Sequence, residues 1–197
     1  MEPETRRGRI APELAAELPG LWLAWTEFEA ADAPTPPELR ERLRALSDRF
    51  SGPQAIALRR QEIPHLYRVL FRHIGLEPDE HLTPVEALAL ERLKRGGFPS
   101  RGLVGDALTI AIMETAVPVW AFDAGRLEGE LAVRADSGGR LVIADERGPV
   151  AVLFGEPAHP VTRDTRRIAL VSVVAPGVPE IYVEEALWLA WDIVVAE

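Results

Sequence analysis

Residues 103–128 read LVGDALTIAIMETAVPVWAFDAGRLE, and the rest of the chain is best understood from this stretch outward. Its first part is an apolar run that starts at Asp106. Periodicity alone leaves that run open between helix and strand, because Thr and Ile favour strand. Asp106 is a good N-cap, and the length of the run suits a helix. Pro118 then breaks the pattern, a short aromatic strand follows in Val119-Trp120-Ala121-Phe122, and Asp123 opens a turn.

Beyond that turn the pattern is β. Strands are expected at 118–122, 129–135, 140–144, 149–154 and 167–174, separated by Asp, Gly and Pro turns, with 136–139 as a hairpin loop. The last segment, 179–194, reads as an amphipathic helix, or as a helix ending in a WDIVV strand.

Upstream the pattern is mostly helical. Residues 12–18 suggest a short helix and 21–30 a strand. Thr35-Pro36-Pro37-Glu38, Ser51-Gly52-Pro53-Gln54 and Thr83-Pro84-Val85-Glu86 each fit a capping box, in which a hydroxyl caps orphan amides and Glu or Gln reaches back. Helices are expected over 36–48, 53–74 and 84–95, with an interruption before Pro64 left open. Gly75 and Gly96-Gly97 supply the stops. Helices first and an antiparallel or mixed sheet after them argue for an α+β fold, as one domain over 1–197.

Composition narrows the function. With 197 residues the chain is long enough to bury a core. It has no cysteine, hence no disulfide and no thiolate ligand or nucleophile. No apolar run approaches the ~20 residues that cross a membrane, and the N-terminus lacks the apolar stretch of a signal peptide. A cytoplasmic protein with no membrane partner is the expectation. Net charge is −9, so any contact with nucleic acid must be local. The densest basic stretch is Arg92, Lys94, Arg95 and Arg101. It could seat a phosphate backbone, or simply end a helix with cations near the negative pole of the dipole.

Catalytic signatures are scarce. The histidines, His65, His73, His81 and His159, have no metal-ligand spacing, and no metal or other cofactor is expected. Ser100 lacks the setting of a nucleophile. Asp106 with Glu114 reads as a cap plus a helix-face charge, and Glu184 with Glu185 as a solvated face. No phosphate-cradling glycine motif is present.

One pattern stands out. Pro118, Ala121, Phe122 and Asp123, then Arg126-Leu127-Glu128-Gly129, then Phe154-Gly155-Glu156, then Asp164-Thr165 follow each other in the order of the tRNA-binding and editing domain of the phenylalanyl-tRNA synthetase beta chain, called B3/B4. The resemblance covers about 98–176. It implies a B3/B4-like fold and a ligand pocket lined by Asp106, Thr109, Trp120, Phe122, Phe154, Gly155, His159, Thr165 and Val171, with Arg92, Lys94, Arg95 and Arg101 as candidate RNA contacts. It also locates departures. Trp120 stands where the family has its pocket histidine, Thr109 where it has an asparagine, and Val171 where it has its editing glutamate. Tryptophan offers one N–H donor and an apolar face, and valine offers no polar group.

The resemblance therefore implies a stand-alone domain without room for an aminoacylation module. Its expected role is binding of a tRNA acceptor end or an amino-acid-like ligand, without editing by the synthetase's route. The alternatives are a trans-acting hydrolase of mischarged aminoacyl-tRNA using other groups, and a small-molecule or protein-interaction module with no RNA role. The sequence assigns neither a reaction nor an oligomeric state.

Overall fold

A computed structural model describes residues 4–196. Among these residues, seven α-helices and a seven-stranded mixed sheet make an α+β fold. The elements in chain order are β1 (Arg6–Ile10), α1 (Pro12–Glu17), β2 (Trp22–Glu29), α2 (Pro37–Arg49), α3 (Gly52–Leu58), α4 (Glu62–His73), α5 (Pro84–Arg95) and α6 (Leu103–Thr115). There follow β3 (Trp120–Asp123), a single 3-10 turn (Ala124–Arg126), β4 (Ala132–Ala135), β5 (Leu141–Ala144), β6 (Pro149–Val152), β7 (Arg167–Val174) and α7 (Glu180–Val195).

The sheet runs β3-β7-β2-β1-β4-β5-β6. Only the β1–β4 pair is parallel; the other ladders are antiparallel. β7 is the axis of the first half, pairing along its whole length with β2 and over Ile168–Val171 with β3. Seven of its eight residues are buried, which is why RIALVSVV reads as a continuous apolar run rather than an alternating one. α6 and α7 are apolar almost all round, and a helix of that kind needs cover on several sides. They find it in each other and in the β2–β7 half of the sheet.

β1 carries no apolar alternation to announce it. Arg6 lies 5.0 Å over the ring of Trp25, and Arg7 lies 4.3 Å over that of Trp22. Both contacts are cation–π stackings at exposed arginines. The next residue, Gly8, has no room for a side chain, because a Cβ there would come within 2.5 Å of Leu23 and 2.6 Å of the Leu131 carbonyl.

Two of the three capping boxes form. Gln54 Oε1 accepts from the Ser51 amide at 3.3 Å, and Glu86 accepts from the Thr83 amide at 3.2 Å and from its hydroxyl at 2.8 Å. The first does not. α2 is capped by Pro36 with no side-chain bond. The Thr35 hydroxyl turns inward to Asp106 Oδ2 at 2.6 Å instead. The 53–74 segment divides at 59–61 into α3 and α4, with Pro64 in the first turn of α4, where it removes no helical bond. The C-terminal segment is helix to Val195, and no WDIVV strand forms.

Asp106 is not the N-cap of α6. The helix begins a turn earlier, at Leu103, after Gly102. The Val104 amide is held instead by Asp32 Oδ1 at 3.1 Å. Asp106 is fully buried and accepts from the Arg101 amide at 2.7 Å. The Ser100 hydroxyl reaches the same oxygen as Thr35, at 2.7 Å. The Ser100 and Thr35 oxygens are themselves 2.7 Å apart, so two hydroxyl protons serve three close contacts. The carboxylate pins the 97–102 connection to the segment before α2, a long-range tie no local pattern could show.

Candidate ligand-binding site

The antiparallel register places Trp120 opposite Val171 and Phe122 opposite Ala169. Directly opposed residues project to the same face of a sheet, so Trp120, Phe122, Ala169 and Val171 form one patch of wall. Phe122 and Val171 are fully buried and Trp120 is half-buried.

The loop after β6 brings a third aromatic to this wall. Phe154 has φ 62°, an uncommon conformation for a residue with a side chain. The Gly155 amide closes the turn onto the Val152 carbonyl at 2.8 Å. The Phe154 ring sits 5.7 Å from Trp120, 4.7 Å from Phe71 and 6.2 Å from Tyr67, the last edge-on. Tyr67 is fully buried and donates its hydroxyl to the Val173 carbonyl at 3.1 Å. Burial pushes this phenol far above its ordinary range, so it stays neutral. Tyr67 and Phe71 were not among the residues the sequence pointed to. Their four-residue spacing on one helix face was the available signal, but it looks like any buried helix stripe.

His159 lies in the loop beside β3. Its carbonyl accepts from the Asp123 amide at 2.9 Å, and the neighbouring Pro160 bridges to Phe122. Its Nδ1 is buried and has no hydrogen-bond partner in the protein. Thr165 is buried and its Oγ accepts from the Thr162 amide at 3.0 Å, closing the turn that leads into β7. On α6, Thr109 donates back to the Gly105 carbonyl at 2.9 Å. The polar atoms of Asp106, Thr109 and Thr165 are thus engaged in the protein's own turns and helix. Trp120, Phe122, Phe154, Gly155 and Val171 are brought together as one aromatic and apolar corner.

The basic cluster sits at the end of α5, where Gly96 ends the helix with φ 78°. Part of its charge is already matched. Glu91 accepts from Arg101 with one oxygen and pairs with Arg95 through the other, at 3.1 Å. Arg92 donates to the Ser47 carbonyl at 2.9 Å. Lys94 has no ion pair among the described residues. Among the described residues no three His, Asp or Glu side chains converge as a metal site, and no helix is long and apolar enough to cross a membrane.

No protein-family model matches the chain. It is 31% identical over 121 residues to the phenylalanine–tRNA ligase beta subunit of Legionella pneumophila (strain Lens), an alignment covering 52% of this chain. The chain spans only 15% of that subunit's length. These figures establish a distant relationship to the beta subunit of phenylalanine–tRNA ligase.

Proposed function

We propose that the chain is a binding domain of B3/B4 type that holds a flat or apolar group, from a tRNA acceptor end or an amino-acid-like ligand, without hydrolysing it. One observation carries this reading. Trp120 and Val171, which stand at the synthetase's pocket-histidine and editing-glutamate positions, face each other across one ladder. A wall built from an indole, a valine and Phe154 can stack and exclude water. It has no imidazole or carboxylate at those two positions to orient a water, and such acid–base help is worth about 10²–10⁴-fold in rate.

The test is a deacylation assay over a panel of mischarged tRNAs, tyrosyl-tRNA included, run beside equilibrium binding of uncharged tRNA and of free aromatic amino acids. The expected outcome is binding of at least one of these with no deacylation above background. Rapid tyrosyl-tRNA hydrolysis would favour the trans-acting hydrolase. That second reading draws on His159 in the loop beside β3, whose Nδ1 is buried without a hydrogen-bond partner in the protein.

A further inference from the structure

The sheet ends in two edge strands, β3 and β6, and one short segment is bound to both. Pro157 bridges to Ala151 of β6, where the Ala158 amide donates to the Val150 carbonyl at 2.7 Å. Three residues on, Pro160 bridges to Phe122 of β3, where the Asp123 amide donates to the His159 carbonyl at 2.9 Å. Residues 154–160 thus form a strap that joins the two edges and closes the curled sheet on itself. Its ends are fixed. The Leu153 amide is bonded to the Leu141 carbonyl at 2.9 Å, and the Thr162 amide to Thr165 Oγ at 3.0 Å.

Between those ends the strap is lightly held. Pro157 and Pro160 have no N–H to give to either edge, and Glu156, Ala158 and Pro160 are exposed. The closed position carries two costs of its own. Phe154 keeps its backbone in the left-handed region, at φ 62°. The His159 Nδ1 is buried with no hydrogen-bond partner in the protein. Opening relieves both. What opposes them is the Phe154 ring, packed 4.7 Å from Phe71 and 5.7 Å from Trp120. The costs and the anchor sit in one seven-residue element.

We propose that the strap 154–160 is a gate. It lifts from β3 and β6 as one unit between its fixed ends, takes the Phe154 ring off Trp120 and uncovers the wall that Trp120 forms with Val171. Phe154 is then the moving side of that wall. Its use as an entrance rests on the ligand reading above, whereas the motion itself needs no ligand.

Native-state hydrogen exchange of the full chain tests the motion. The Ala158 and Asp123 amides lie on opposite sides of the strap and should show one common protection factor, at least about tenfold below that of the β2–β7 ladder and little changed by low urea. Phe154→Gly suits the left-handed turn and removes the ring. It should lower that shared protection by about tenfold, the order an aromatic contact gives, and leave the β2–β7 ladder unchanged. Access to the wall is read separately. The chain has no cysteine, so Val171→Cys and Ser172→Cys each place a lone thiol at a fully buried position of β7, on opposite faces. Iodoacetamide should label the Val171→Cys protein at least about tenfold faster than the Ser172→Cys protein. Strap amides that exchange only with the β2–β7 ladder, unequal protection of the two amides, or equal labelling of the two thiols would each overturn the proposal. No ligand enters these measurements, so their failure is distinct from a failure to bind tRNA or aromatic amino acids.

Discussion

Trp120 stands directly opposite Val171 across the β3–β7 ladder, and the indole rests on Phe154, whose backbone is turned into the left-handed region to reach it. The pair is one feature, because a side chain added at either position meets the other. Val171 is fully buried and Trp120 is not.

Placing an acidic group at Val171 should therefore be costly before it is useful. Val171→Glu places a carboxyl in a dry wall with no donor waiting for it, a cost of several kcal/mol or a neutralised acid. Trp120→Ala removes a half-buried ring and should cost about 1–3 kcal/mol, below the full loss for a wholly buried aromatic. Thermal melts of the two variants check the order. Val171→Glu should melt well below Trp120→Ala, and a Val171→Glu protein with the wild-type melting temperature would show that the pocket is open to water at that residue.

The elements that local chemistry specifies were legible in the chain. β7 was placed residue for residue by its apolar run, and α5 by Thr83, Glu86 and Gly96. What escaped is what depends on distant partners. β1 is held by its ladders to β2 and β4, with two tryptophans of β2 under its arginines. Thr35 looked like a cap but is spent on Asp106, seventy-one residues on. At the site, Trp120, Phe154 and Val171 could be named from ordered motifs, whereas Tyr67 and Phe71 come from a helix with nothing in its sequence to tie it to that loop. The sharing of Glu91 by Arg95 and Arg101 is likewise a matter of side-chain geometry rather than of composition.

Asp106 should prove structural. Asp106→Ala strands the Arg101 amide and two hydroxyls in or near the interior, and at 1–3 kcal/mol for each buried group left unpaired the loss should be about 3–5 kcal/mol. Asp106→Asn keeps one acceptor and should cost less. Urea melts give both values. If instead the alanine variant is stable and only ligand binding suffers, the carboxylate belongs to the pocket.

The acid limb of stability should run through Asp79. The Arg68 guanidinium, by hydrogen bond and by charge, holds this carboxyl below the usual aspartate range. A carboxyl whose value is lower in the folded state adds stability above its unfolded value, about 4. That contribution fades as pH falls through the lower folded value. Asp79→Asn should thus melt below wild type at neutral pH, with the gap closing in acid. Melting temperatures from neutral pH to about pH 3 test it, and a gap that widens in acid would reverse the assignment.

The cluster at the end of α5 should contribute little to RNA binding. Each phosphate contact adds roughly 0.7–0.9 to the slope of log affinity against log salt. Arg95 and Arg101 share Glu91 and Arg92 is bonded to the Ser47 carbonyl, so Lys94 is left to meet a phosphate without first breaking a pair. Neutralising Arg92, Lys94, Arg95 and Arg101 together should change the slope for tRNA by about one contact or less. A drop of about four contacts would instead make this cluster the seat of the backbone. Glu91→Gln separates the two cases from the other side. It frees Arg95 and Arg101, so it should tighten tRNA binding if the cluster faces the RNA and leave affinity unchanged if the nucleic acid, where it binds, approaches at the Trp120 corner alone.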